Sequence, residues 1–83
     1  MDQVLFTVRS VTRAQRMAAL LSRRGVRCAI FRAPAQLSDS GCTYAVRLEQ
    51  RQLNAAMEIL SVEGLAPLSI YEKTDSGYRE VFL

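Results

Sequence analysis

Apolar positions recur along the chain with two periods, and the alternation between them predicts the elements. Residues 3–9 (Gln-Val-Leu-Phe-Thr-Val-Arg) are rich in β-branched and aromatic residues and read as a strand. Ala14, Met17, Ala18 and Leu21 then recur at i, i+3, i+4 and i+7, which puts them on one face of a helix. Ser10 or Thr12 suits its N-cap, and Thr12 with Gln15 has capping-box spacing. Gly25 follows its last turn, where Arg23 and Arg24 meet the negative end of the helix dipole. Residues 26–32 read as a second strand and residues 43–48 as a third. A second helix follows from Glu49 to Glu63, with Leu53, Ala56, Met57 and Leu60 as its stripe and Gly64 as its stop. Residues 66–72 form a fourth strand, weakened at its start by Pro67. A turn at Thr74-Asp75-Ser76-Gly77 sends Tyr78 to Leu83 back as a fifth strand in a hairpin.

The two helices repeat one another. Adding 39 to positions 14, 17, 18, 21 and 25 gives 53, 56, 57, 60 and 64, an apolar stripe ending in Gly both times. The chain therefore reads as two tandem β-α-β units. Such units interleave into an α+β sandwich of the ferredoxin-like, split β-α-β kind, an antiparallel sheet with both helices on one face and here a C-terminal fifth strand. The expectation is a single domain over 1–83, with its core in 3–72 and the hairpin strand in 73–83. The sheet face without helices should present Thr7, Arg27, Thr43 and Arg47, which alternate with apolar neighbours. That face, or the strand Tyr78–Leu83, offers a surface for a homodimer or another protein partner.

Composition narrows the chemistry. The chain has no His, which removes Ser-His and Cys-His nucleophile pairs and His-ligated metal sites. Two cysteines do not fill a structural zinc site, and the carboxylates are scattered singly, so neither a metal nor a cofactor is expected. No apolar run approaches the length of a membrane span. The N-terminus lacks a basic stretch leading into an apolar core, so a secretory signal is not expected. Both features point to the cytoplasm, where the two cysteines would be free thiols.

Net charge is +3 but lopsided. Residues 1–32 carry seven Arg against one acid, and residues 33–83 carry four basic groups against seven acidic ones. Arg13, Arg16, Arg23 and Arg24 lie on the side of the first helix away from its stripe, where a solvated face accounts for them. The third strand, Thr-Tyr-Ala-Val-Arg-Leu, lacks the stacking aromatics of RNA-binding sheets, which argues against nucleic acid.

The stretch Pro34-Ala35-Gln36-Leu37-Ser38-Asp39-Ser40-Gly41-Cys42 is the longest without either period, and it reads as a loop. Gly41 permits positive φ, so backbone N–H groups can converge on one anion beside it. Ser38 and Ser40 supply hydroxyl donors, and Arg27 and Arg32, on the preceding strand, supply positive charge. These groups would favour the thiolate of Cys42, the reactive form of a cysteine, whereas Asp39 would oppose it. The opposing reading is structural: Cys42 is in phase with Tyr44, Val46 and Leu48, and cysteine often serves as a small buried hydrophobe. Cys28, in phase with Val26 and Ile30, reads as core. A redox pair between Cys28 and Cys42 is the third arrangement.

Over residues 3–72 the sequence resembles a family of small bacterial domains, the Se/S carrier protein-like family. The resemblance rests on Val4-Leu5-Phe6-Thr7-Val8, Ser10 and Ala14 at the first helix, Gly25-Val26, Pro34 with Leu37-Ser38, a Cys beside a Gly at Gly41-Cys42, Tyr44-Ala45-Val46-Arg47, and Gly64. It implies a non-enzymatic or auxiliary carrier whose loop cysteine, here Cys42, holds sulfur or selenium as a persulfide or selenosulfide. Its partners would be the proteins that donate and accept the chalcogen. The alternative is a small regulatory or interaction module in which Cys42 is structural.

Overall fold

The computed structural model describes residues 3–37 and 44–82. In chain order they form β1 (Gln3–Val8), α1 (Val11–Arg23), β2 (Cys28–Arg32), β3 (Tyr44–Glu49), α2 (Leu53–Val62), β4 (Ser69–Thr74) and β5 (Gly77–Val81). Short 3-10 turns, Ala35–Leu37 and Gln50–Gln52, precede β3 and α2. The strands make one antiparallel sheet in the order β2-β3-β1-β4-β5, with both helices on one face. This is the split β-α-β sandwich that the repeat predicts, and β5 is the added strand. Among the described residues no helix is long and apolar enough to cross a membrane.

The central strand explains where the core sits. β1 is paired on both edges, with Phe6 opposite Val46 of β3 and Ile70 of β4. Val4, Phe6 and Val8 point to the helices and join Ala14, Met17, Leu21, Leu53, Ala56 and Leu60 in the main apolar cluster. Leu5 and Thr7 point to the other face yet are also buried, and the Thr7 hydroxyl donates to the Ser69 carbonyl at 3.4 Å. That face is therefore not bare. Ala33 and Leu37, from the segment after β2, pack there with Leu5, Ala45 and Phe31, while Tyr71 and Tyr78 join from the β4–β5 side. Arg47 lies exposed on the same face. Thr43 lies outside the described residues.

The tandem repeat holds at the level of single hydrogen bonds. Gly25 and Gly64 both adopt left-handed φ, +86° and +68°. The Val26 N–H bonds the Leu21 carbonyl at 2.9 Å, and the Leu65 N–H bonds that of Leu60 at the same distance. These six-to-one bonds are Schellman caps, and the residue after each glycine buries its side chain, as that motif favours. Val26 thus belongs to the helix cap, which is why β2 begins at Cys28 and not at 26. At the other end of α1, Ser10 is the cap, with its Oγ accepting from the Arg13 N–H at 3.2 Å. The second helical segment opens as a 3-10 turn, with the α-helix proper beginning at Leu53.

A Cβ added at either glycine would meet nothing within 4 Å. Gly25→Ala and Gly64→Ala should therefore cost only the left-handed conformational penalty, about 1–2 kcal/mol each. Because the two caps are equivalent, the two losses should agree within about 0.5 kcal/mol, and the double variant should be additive. Urea titrations of the three variants check this.

Candidate functional site

The candidate site is built around the chain that leaves β2. Arg32 ends that edge strand, and the backbone turns at Ala33 and Pro34 toward the helix-free face of the sheet. A single 3-10 turn follows, in which the Leu37 N–H bonds the Pro34 carbonyl at 2.9 Å. Pro34 is half-buried, and Ala33 and Leu37 anchor the segment against Leu5 and Ala45. Burial of these apolar side chains fixes where the segment starts. Tyr44, the first residue of β3, fixes where it returns. Ser38, Ser40, Gly41 and Cys42 lie outside the described residues.

Arg32 and Tyr44 frame this segment. They are direct partners across the β2–β3 ladder, and the Arg32 guanidinium stands 5.8 Å from the centroid of the Tyr44 ring. A cation over a tyrosine face is attracted by the ring quadrupole, which holds the exposed guanidinium over Tyr44, a residue that packs against the helix-side core. Tyr44 was not marked out by the sequence as Arg32's partner, because nothing in a linear pattern states the register of two strands joined by a long connection.

Arg27 has a different setting. It is exposed and precedes β2, five positions before Arg32, or roughly 17 Å along an extended chain. There it borders an open cleft of about 500 Å³ with Cys28, Ser22, Arg47 and Glu49. Of the two cations assigned to the loop, Arg32 ends the strand from which the segment leaves, and Arg27 precedes the other end of that strand. Arg47 meanwhile reaches across the helix-free face to 5.6 Å from the Phe31 ring centroid.

Cys28 is a free thiol, half-buried at the start of β2. It packs against the helix-side core, as its phase predicts. Its thiol donates to the Ala18 carbonyl at 3.6 Å and lies 3.9 Å from the Ser22 hydroxyl. Opposite Cys28 in the ladder is Leu48, four positions from Tyr44, or about 14 Å along the strand. Cys28 is thus a packed thiol with one edge on the cleft.

Arg13, Arg16 and Arg23 are exposed on α1, and Arg24 is exposed at its C-cap, in keeping with a solvated face. A Glu72 carboxylate ties the far side of the sheet together. It accepts from Gln50 Nε2 at 3.0 Å and pairs with Arg79, joining β4, β5 and the turn before α2.

No curated protein and no solved structure matches the chain. A family model described as "Putative Se/S carrier protein-like" does match it, over residues 3–72, which takes in β1 to β3, both helices, the whole segment between β2 and β3 and the first four residues of β4. The chain belongs to that family.

Proposed function

We propose that the protein carries sulfur or selenium on the thiol of Cys42 and passes it between a donor and an acceptor protein. The observation that carries this reading is family membership over residues 3–72, a span that includes Cys42. The framing of the segment supports it. Two peptide units separate Cys42 from Tyr44, so covalent geometry alone keeps their Cα atoms within about 7 Å. Arg32 is held beside Tyr44. A guanidinium near a cysteine favours its thiolate over the thiol, the role Arg32 would have toward Cys42. Gly41 and Ser40 would shape the backbone around the sulfur, and Ser38 and Pro34 would set the course of the chain toward it.

The transfer step needs no external oxidant. The Cys42 thiolate attacks the terminal sulfur of a donor persulfide. A new sulfur–sulfur bond forms at Cys42, the donor's sulfur–sulfur bond breaks, and the donor leaves as a thiolate. Attack by an acceptor thiolate reverses the roles and returns Cys42 to its free form. A terminal selenium atom moves by the same exchange. The protein contributes position and charge, and acts as a carrier rather than a catalyst. A cytoplasmic setting, which keeps thiols reduced, suits such a cycle.

The experiment is loading from a low-molecular-weight persulfide, followed by peptide mass spectrometry under non-reducing conditions. Addition of one sulfur atom to the peptide containing Cys42 is expected. Addition confined to the Cys28 peptide, or to neither, would remove the proposal.

A further inference from the structure

We propose that β2 is a homodimer interface, pairing antiparallel with β2 of a second copy to make one continuous ten-stranded sheet. The proposal does not depend on the carrier reading.

The first observation is what the edge lacks. β2 and β5 end the sheet, so each presents one row of backbone groups with no strand partner among the described residues. Edge strands are ordinarily blunted by charge, Pro or a bulge. The middle of β2 is Ala29-Ile30-Phe31, with none of these. Ile30 is 36% exposed, although its phase alone assigns it to the core.

The second observation is the helix above that edge. Ala18 and Ser22 of α1 meet Cys28 at the start of β2, so their stripe marks the β2 flank of the helix. At 3.6 residues per turn that stripe also contains Val11 and Gln15. Val11 is 40% exposed. All four residues are uncharged, on a helix that also carries Arg13, Arg16 and Arg23. Residues 1–32 hold seven Arg against one acid, yet the β2 residues between Arg27 and Arg32 and the α1 stripe above them are uncharged. On the helix side neither β2 nor the α1 stripe puts a charge between Arg27 and Arg32, and on the other side the Arg47 guanidinium lies over the Phe31 ring.

The third observation is self-complementarity. A two-fold axis at Ile30 sets Ile30 against its own copy, Ala29 against Phe31, and Cys28 against Arg32. No like charges face one another, and each pair keeps its side of the sheet. The same axis brings the two neutral α1 stripes together over the joined strands. β5 fails this test. Centring a dyad on its middle residues opposes Arg79 to Arg79 or Glu80 to Glu80, which is unfavourable.

Light scattering on the full chain should give twice the 9.3 kDa chain mass. Ile30→Lys should halve it with an unchanged far-ultraviolet spectrum, whereas Phe82→Ser, at an 82% exposed position next to β5, should leave the dimer intact. A chain that stays monomeric up to about 1 mM overturns the proposal. So does a dimer lost in Phe82→Ser and kept in Ile30→Lys. Should Ile30→Lys fail to fold, Ile30→Cys in a Cys28→Ser, Cys42→Ser background decides. Oxidation should crosslink it roughly tenfold or more faster than Val62→Cys, because a two-fold pair holds its thiols at high effective concentration. Equal rates would contradict the interface.

Discussion

Replacing Cys42 with Ser is expected to abolish persulfide loading completely, with no change in the unfolding midpoint beyond about 0.5 kcal/mol. The hydroxyl preserves size and hydrogen bonding but does not form the sulfur–sulfur bond on which the carrier cycle turns. Cys28→Ser should behave in the opposite way. Cys28 packs against the core and donates to the Ala18 carbonyl, so a smaller and more polar atom there should cost stability and leave loading intact. The crossed pattern separates chemistry from packing. Loading that survives Cys42→Ser, or is lost only in Cys28→Ser, would assign the carrier role to the wrong thiol.

The second large effect concerns the fold that holds the segment. Phe6 is fully buried at the centre of the middle strand, between Val46 and Ile70. Phe6→Ala should cost about 3–5 kcal/mol, from lost burial and the cavity left behind. A domain of this length has roughly 4–12 kcal/mol of stability in all. The variant should therefore unfold at a temperature lower by roughly 12–40 °C, and a large share should be unfolded under ordinary conditions. Val62→Ala, at a position 78% exposed, should shift the transition by no more than about 0.5 kcal/mol. A thermal melt of the pair measures both. A small loss at Phe6 would mean that the sheet centre repacks around the missing ring.

How far the sequence foretold this architecture depends on which interaction fixes each part. The helices were legible because a buried stripe imposes a period, and the 39-residue offset predicted even the shared cap geometry at Gly25 and Gly64. Strand starts were less legible. Val26 is apolar because it closes a Schellman cap, and that signal looks like the first residue of a strand. β4 likewise starts at Ser69, after Pro67 and after the Leu68 N–H has bonded the Thr7 carbonyl at 2.8 Å. Ile30 shows a different limit. Alternation tells which face a residue takes, whereas exposure at an edge depends on how far a helix reaches across the sheet. The helix-free face was expected to be open, but Ala33 and Leu37 cover its centre, a contact between residues far apart in sequence. At the site, the sequence marked Arg32 but not Tyr44, since their pairing depends on the β2–β3 register.

The account rests on Cys42 as an activated thiol, and the most direct measurement is the pH dependence of its alkylation in the folded protein, read peptide by peptide against Cys28. Cys42 should react fast, with an apparent pKa well below the value of about 8.5 for a free cysteine. Arg32→Gln should move that value upward, because a nearby cation stabilises the thiolate. Cys28 should lag behind until the protein unfolds. A Cys42 that stays protected until unfolding would contradict the account and make its thiol part of the core.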